Sequence, residues 1–395
     1  MSRRAFVVVI DACGAGALPD AESYGDAGSN TLLHLAQALG GLKLPALQAL
    51  GLGNILELPG VPAVPAPVLH GLLHPLGPGK DSSTGHWELM GVTVDEAPPS
   101  YPDGLPRELL ALIERTIGAD VLCARPYDGV AAIEDFGAEH LASGRPILYT
   151  SQDSVLQLAA HTEVMAQEQL YTACASLRAA LASGPHAVRR VIARPFQGSP
   201  GALERTLGRR DYTLAPPSRS YLELLRESGA EVHGVGKAAA LFDDVGFSAV
   251  HPGASNVEAL DSAEALLNEL EAGLVFVNLI ETDQVYGHRK DTAGFYGALR
   301  LIDEALGRIT GTLEEGDLVI VTADHGVDPA HPGTDHTREH VPLLALTGEM
   351  QRSRSASGSR RGRRHDGPMA DVGASVLDWL GGGTAEGLGG RSFIS

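Results

Sequence analysis

Phe6-Val7-Val8-Val9-Ile10 is an unbroken apolar run rich in β-branched residues. Without polar alternation, such a run predicts a strand buried on both faces, as in a parallel sheet. Leu274 to Leu279 and Leu318 to Val321 repeat the pattern. Between them, Phe295, Leu299, Ile302, Leu306, Ile309 and Leu313 recur at alternating spacings of four and three, which is one face of an α-helix. Asp261, with Glu264 three positions on, predicts a capping box that opens another helix through Ala265, Leu266, Leu267 and Leu270. Strands alternating with helices predict an α/β domain with a mainly parallel sheet between helices.

The texture changes between Pro98 and Pro217. Pro98, Pro99, Pro102 and Pro106 bound this region on one side and Pro216-Pro217 on the other. Inside lie a helical pattern from Leu105 to Ile117 and a strand-like run from Val188 to Ala193. The expected organisation is a core in two parts, 1–97 and 217–395, with a smaller α/β domain, 98–216, inserted between them. Arg352 to His365 holds six arginines among Ser and Gly, with no aromatic residue. It predicts an exposed surface loop rather than a nucleic-acid-binding arm.

Charge supports that choice. The chain has 395 residues, with 49 acidic against 30 basic side chains and a formal net charge of -19. A broad basic face for nucleic acid or anionic lipid is not expected. Cys13, Cys123 and Cys174 are far apart and form no CxxC pair. They fit a reducing cytoplasm better than a disulfide scaffold or a cysteine zinc site. No apolar run approaches the ~20 residues of a membrane helix. Arg3-Arg4 precedes an apolar run too short for a twin-arginine signal, and Asp11 interrupts it.

Asp and His gather where the predicted strands end. Asp11 follows the first strand, Asp283 and His288 follow the second in a short loop, and Asp324-His325 follow the third. His336 lies a little further on. Open α/β sheets bind ligands beyond the carboxyl ends of their strands, so these residues are expected to meet. Three carboxylates and three imidazoles without a thiolate suit Mn²⁺, Zn²⁺ or Fe²⁺ better than Ca²⁺. Six ligands suit two ions about 3.5–4 Å apart, a clamp for phosphoryl transfer. Gly79-Lys80-Asp81-Ser82-Ser83-Thr84-Gly85 adds hydroxyls in a Gly-bounded loop, where a metal could activate one as nucleophile. Residue chemistry alone leaves Ser82, Ser83 and Thr84 open. The glycines of Asp11-Ala12-Cys13-Gly14-Ala15-Gly16 are expected to turn the backbone beside Asp11. Pro19 stands where a dinucleotide fingerprint needs its third glycine, which excludes that reading.

Several stretches together resemble the phosphopentomutases of the alkaline phosphatase superfamily. They are Val9-Ile10-Asp11, Gly79 through Gly85-His86-Trp87-Glu88, Tyr286-Gly287-His288-Arg289, Thr322-Ala323-Asp324-His325-Gly326 and Gly333 to Glu339. Tyr149-Thr150-Ser151 through Gln157 and Val191 to Phe196 match the family's inserted cap, and Gly390-Arg391-Ser392-Phe393 closes the match. The resemblance implies an alkaline-phosphatase-like core with an inserted cap. It implies interconversion of α-ribose 1-phosphate and ribose 5-phosphate, or their 2-deoxy forms, through a phosphorylated hydroxyl. Two Mn²⁺ ions would serve, and a sugar 1,6- or 1,5-bisphosphate would activate.

Carried over, Asp283, His288 and His336 hold one ion, and Asp11, Asp324 and His325 the other, with Ser82 bridging them. Ser151 and Asp153 would meet sugar hydroxyls. Arg190, Arg194, Arg205 and Lys237 would meet phosphate. The partners implied are small sugar phosphates, with no nucleic acid, membrane or obligate protein partner. The family pattern has Thr where this chain has Ser82, often Asp where it has Glu281, and Tyr where it has His340; a role for His340 beside the metals or at the surface is expected. The rival reading is a phosphatase or phosphodiesterase on the same two-metal core.

Overall fold

The computed structural model describes residues 2–65, 68–151, 154–355, 362–383, 385 and 387–394. The chain divides into two compact units, Met1–Glu96 with Pro216–Ser395, and Ala97–Ala215.

The larger unit is built on an eight-stranded sheet. Its spatial order is Ala249–His251, Val232–Val235, Gly273–Leu279, Arg4–Ile10, Asp317–Thr322, Val341–Thr347, Leu69–His74 and Gly367–Pro368. The first five run parallel, and Val341–Thr347 runs against both its neighbours. Every residue of Gly273–Leu279 and of Asp317–Thr322 is buried, as their largely apolar runs require. The helix Thr292–Gly311 buries Phe295, Leu299, Ile302, Leu306 and Ile309, the stripe read from spacing. Leu313 lies just past its end.

The helix carrying Leu266 and Leu267 opens earlier than the Asp261–Glu264 pair suggested. It spans Asn256–Glu269, and Ser255 is its cap, accepting from the Glu258 backbone N–H at 3.2 Å. Ser255 and Glu258 have the same three-residue spacing as Asp261 and Glu264. Asp261 lies within the second turn, where the backbone N–H groups already have helical partners. A second correction concerns the arginine-rich stretch. Its start belongs to a helix, Gly348–Ser355, in which Arg352 pairs with Glu315 at 2.8 Å. Residues 356–361 of that stretch lie outside the described residues.

The smaller unit holds a mixed sheet in the order Leu122–Pro126, Ile147–Ser151, Val155–His161, Arg190–Ser199 and Ala202–Arg205, with Arg210–Thr213 also paired to Arg190–Ser199. Ile147 and Tyr149 enter one apolar cluster, with Ala132 and Ile133 of the helix Gly129–Ser143. Leu148 enters another, with Leu109, Ile113, Leu170 and Leu177 of the helices Arg107–Ile117 and Gln167–Ala180. Alternate residues of one strand thus face opposite cores, so helices cover both sides of this sheet too. The strand expected at Val188 to Ala193 begins at Arg190 and runs on to Ser199.

Candidate metal centre

Val9 pairs with Asn278 on one side and Thr322 on the other, so three adjacent strands end level. Asp11 follows the first strand directly. Asp283 stands in a π-helical turn, Thr282–Gly287, not in the loop expected from sequence. Thr282 ties that turn to the first strand, its hydroxyl donating to the Asp11 carbonyl at 2.6 Å. Asp324 and His325 follow the third strand.

The ligand-type atoms of Asp11, Asp324 and His325 lie within 4.8 Å of one another, and so do those of Asp283, His325 and His336. His288 Nε2 reaches Asp283 Oδ1 at 3.4 Å, and His336 Nε2 reaches the same oxygen at 3.5 Å. His325 Nε2 is 3.3 Å from Asp11 Oδ1 and 3.4 Å from Asp324 Oδ2. All six side chains therefore form one continuous cluster, with His325 at the join.

The surroundings hold these groups in ligand-ready form. His325 Nδ1 faces the Gly326 carbonyl at 3.2 Å, and His288 Nδ1 faces the Thr334 carbonyl at 2.6 Å. A carbonyl only accepts, so each Nδ1 carries a proton and each Nε2 points into the cluster, where a bound cation would take its lone pair. Asp11 Oδ2 accepts from Asn278 Nδ2 at 3.1 Å, and Asp324 Oδ1 accepts from the backbone N–H groups of Ala12 and His325, each at 3.1 Å. Asp11 Oδ1, Asp283 Oδ1, Asp324 Oδ2 and His336 Nε2 are buried without a hydrogen-bond partner. Buried polar atoms left in this way are costly, and all four converge on the cluster. The donor set therefore fits divalent cations.

The charges agree. Burial and the neighbouring Asp324 push the Asp11 carboxyl up to about 6. Burial also raises Asp324, but His325 and His86 outweigh it and hold this carboxyl near 2. Burial would raise Asp283 too, yet the facing imidazoles of His288 and His336 outweigh it and hold its carboxyl well below the usual carboxylate range. Close carboxylates in a dry site demand positive charge.

The hydroxyl segment is not a loop. Ser82–Leu89 is a helix capped by Asp81, whose Oδ1 accepts from the Thr84 N–H at 3.1 Å. The other oxygen, Oδ2, accepts from the Thr84 hydroxyl, which ties Thr84 into the cap. Ser83 is buried. Ser82, at the first helical position, is 3.1 Å from His325 Nε2 through its Oγ. Gly85 lets this helix close on the third strand, for a Cβ there would lie 2.4 Å from the Asp324 carbonyl. Gly14 likewise serves close approach rather than a turn: its Cβ would lie 2.4 Å from Glu339 Oε2. The positive φ values in that loop belong to Ala12 and Gly16.

A model of the metalloenzyme superfamily matches residues 3–382. A phosphopentomutase of Anaeromyxobacter dehalogenans is 45% identical over 383 residues, covering 96% of each chain. One of Dictyoglomus thermophilum is 43% identical over 394 residues, covering 100% of this chain and 98% of its own. The chain belongs to the phosphopentomutase family. It is thus a mutase, an isomerase that transfers a phosphoryl group, and a user of divalent metal. Two solved structures share its fold. A Pyrococcus horikoshii protein has a TM-score of 0.50 at 15% identity, covering 98% of this chain and 100% of its own. A Leishmania mexicana phosphoglycerate mutase also has 0.50, at 12% identity, covering 99% and 97%. Among the described residues no helix is long and apolar enough to cross a membrane.

The substrate residues expected from the phosphopentomutase resemblance fall in both units. In the larger, Lys237 donates to Gln284 Oε1 at 2.6 Å, beside Asp283. In the smaller, Arg194 Nε donates to Gln157 Oε1 at 2.9 Å, and Arg205 reaches the Tyr149 hydroxyl at 3.5 Å. Burial, then the nearby charges of Arg209 and Arg205, lower the Arg194 guanidinium to about 10, still cationic at neutral pH. Arg190 has a buried Nε without a partner and stands 4.0 Å from Asp211. Ser151 ends its strand half-buried, and Asp153 lies outside the described residues. His340 is half-buried, its Nδ1 3.3 Å from the Gly16 carbonyl.

Sequence reasoning passed over Asn278 and Glu339. Asn278 is the one polar residue in an otherwise apolar strand, a signal that could have marked it. Glu339 accepts four bonds: from the Gly16 N–H, from the N–H and hydroxyl of Thr31, and from the Thr337 hydroxyl. These knit the Asp11 loop to the segment bearing His336.

Proposed function

We propose that the chain interconverts α-ribose 1-phosphate and ribose 5-phosphate, and their 2-deoxy forms, through phosphorylated Ser82. The observation that carries this is the Ser82 hydroxyl at 3.1 Å from His325 Nε2, the imidazole at the join of the ligand cluster. Asp283, His288 and His336 would hold one Mn²⁺, and Asp11, Asp324 and His325 the other, with Zn²⁺ or another divalent ion as substitute. Bound there, the cations supply Lewis-acid stabilisation of the charge on the transferring phosphoryl group.

The protein holds and presents the groups. Ser82 carries the phosphoryl group at the first turn of its helix, where free backbone N–H groups favour an anion. The 5-hydroxyl oxygen of ribose 1-phosphate attacks phosphorus, the bond to Ser82 Oγ breaks, and a 1,5-bisphosphate forms. Ser82 Oγ, having taken the 5-hydroxyl proton, then attacks the 1-phosphorus; the bond from phosphorus to O1 breaks, the proton passes to O1, and ribose 5-phosphate leaves. Arg190, Arg194, Arg205 and Lys237 would grip the phosphate that is not reacting, and Ser151 and Asp153 the sugar hydroxyls. Guanidinium pairs suit phosphate because they offer parallel donors. A sugar 1,6- or 1,5-bisphosphate would prime unphosphorylated enzyme. Three free cysteines support a cytoplasmic setting.

The test is phosphorus NMR of ribose 1-phosphate with purified protein, Mn²⁺ and a trace of glucose 1,6-bisphosphate. Ribose 5-phosphate without free phosphate is expected. Free phosphate as the main product would replace this reading with a hydrolase.

A further inference from the structure

His86 touches both halves of the proposed machinery from behind. It lies on the helix Ser82–Leu89, one turn from Ser82, and is fully buried. Its Nδ1 is 2.8 Å from the Ser82 carbonyl oxygen and 3.2 Å from Asp324 Oδ2. Both partners only accept, so Nδ1 carries a proton, bonded to the Ser82 carbonyl and held close against Asp324 Oδ2. The opposite nitrogen, Nε2, has no partner, and the ring packs 5.7 Å from Phe276.

The consequence falls on one oxygen. Asp324 Oδ1 is taken by two backbone N–H groups, which leaves Oδ2 for a cation. The side chain that reaches Oδ2 from the nucleophile's helix is His86. Gly85, lacking a Cβ, is what lets the helix lie against the Asp324 backbone.

We propose that His86 is a positioning residue that ties the backbone of Ser82 to the metal-facing oxygen of Asp324 and so sets nucleophile and metal ligand at a fixed separation. This rests on the phosphopentomutase reading for the identity of the nucleophile, but not for the metal contact. Donors behind a metal ligand fix its orientation, and their loss typically weakens metal binding or activity about 10- to 100-fold.

Three proteins decide it: wild type, His86→Leu, which keeps bulk without a donor, and His86→Asn, whose amide can place an N–H at the Nδ1 position. Metal-free protein is titrated with Mn²⁺, with free ion followed by electron paramagnetic resonance, and ribose 1-phosphate kinetics are measured. His86→Leu is expected to weaken one of two Mn²⁺ ions about tenfold and spare the other. Its kcat should fall about 10- to 100-fold with KM within about twofold, and His86→Asn should recover most of both losses. Wild-type Mn²⁺ affinity in His86→Leu overturns the proposal. So does loss of both ions together with the melting transition, or an Asn variant no better than Leu. If wild type binds Mn²⁺ but makes no ribose 5-phosphate, the functional reading fails, while the Mn²⁺ titration still decides the role of His86.

Discussion

The two units gather charge in opposite ways. In the larger, short acidic and imidazole side chains stand at the ends of three level strands, and most have one atom tied to backbone or a buried amide. In the smaller, long guanidinium side chains rise from a mixed sheet, each with few partners: Arg194 on Gln157 and Arg205 on Tyr149. The first arrangement fixes geometry before anything binds, as transition-state stabilisation requires. The second supplies positive charge on longer, less constrained side chains, as the proposed grip on a phosphate group that must change places would require. Substitutions in the two units should therefore affect different kinetic constants.

The largest effect belongs to Ser82, the proposed nucleophile. Ser82→Ala should lose transfer by at least about 10³-fold, because no later contact replaces a missing acceptor oxygen. Its Mn²⁺ content should match wild type. Phosphorus NMR paired with metal analysis reads both, and an active variant would move the phosphoryl acceptor to Ser83.

Next comes the metal framework. Asp283 is the shared oxygen partner of His288 and His336. Asp283→Asn should lose one ion and lower kcat at least about 100-fold. Mn²⁺ at a hundred times Kd should add about 2.7 kcal/mol of stability for each ion bound. Differential scanning calorimetry with and without chelator measures that gain, and Asp283→Asn should show less of it. An equal gain in the variant would take Asp283 out of the metal centre.

Legibility in the sequence divides along similar lines. The core strands were readable because burial on both faces leaves an uninterrupted apolar run, and the sheet rule then brings Asp11, Asp283 and Asp324 to one edge. Local chemistry was readable less well. Ser255–Glu258 and Asp261–Glu264 offer the same cap spacing, and only packing decides which opens the helix. The hydroxyl segment read as a loop because Gly, Ser and Thr are poor helix formers, yet Asp81 caps it and burial on the sheet holds it. The contacts of His86 with Asp324, and of Asn278 with Asp11, join residues remote in sequence. No spacing rule reaches them. The arginines were legible as charge alone, since which strand face a guanidinium follows depends on register.

Arg194 tests the smaller unit. Its guanidinium is half-buried, bonded to Gln157 and disfavoured by Arg209 and Arg205 nearby, so an anion would relieve it. A charge-assisted bond is worth about 1.5–3 kcal/mol, so Arg194→Ala should raise KM for ribose 1-phosphate about 10- to 100-fold. Its kcat should stay within about threefold, with both ions retained. A fall in kcat at unchanged KM would erase the distinction between the units.

Arg205 should give the smallest change and the sharpest contrast. It is exposed, reaches the Tyr149 hydroxyl only at 3.5 Å, and has Asp128 near enough to feel its charge. An exposed cation is hydrated and screened, and its pair interactions fall in the range of about 0.2–1 kcal/mol. Arg205→Ala should therefore raise KM only about twofold. The two arginines should also differ in salt dependence. Screening over about 10 Å at 0.1 M salt weakens exposed charges far more than buried ones. Added salt should erode the advantage of wild type over Arg205→Ala and leave most of its advantage over Arg194→Ala. Initial rates at several ionic strengths measure this directly, and equal salt dependence for the two variants would mean that they grip phosphate from equally exposed positions.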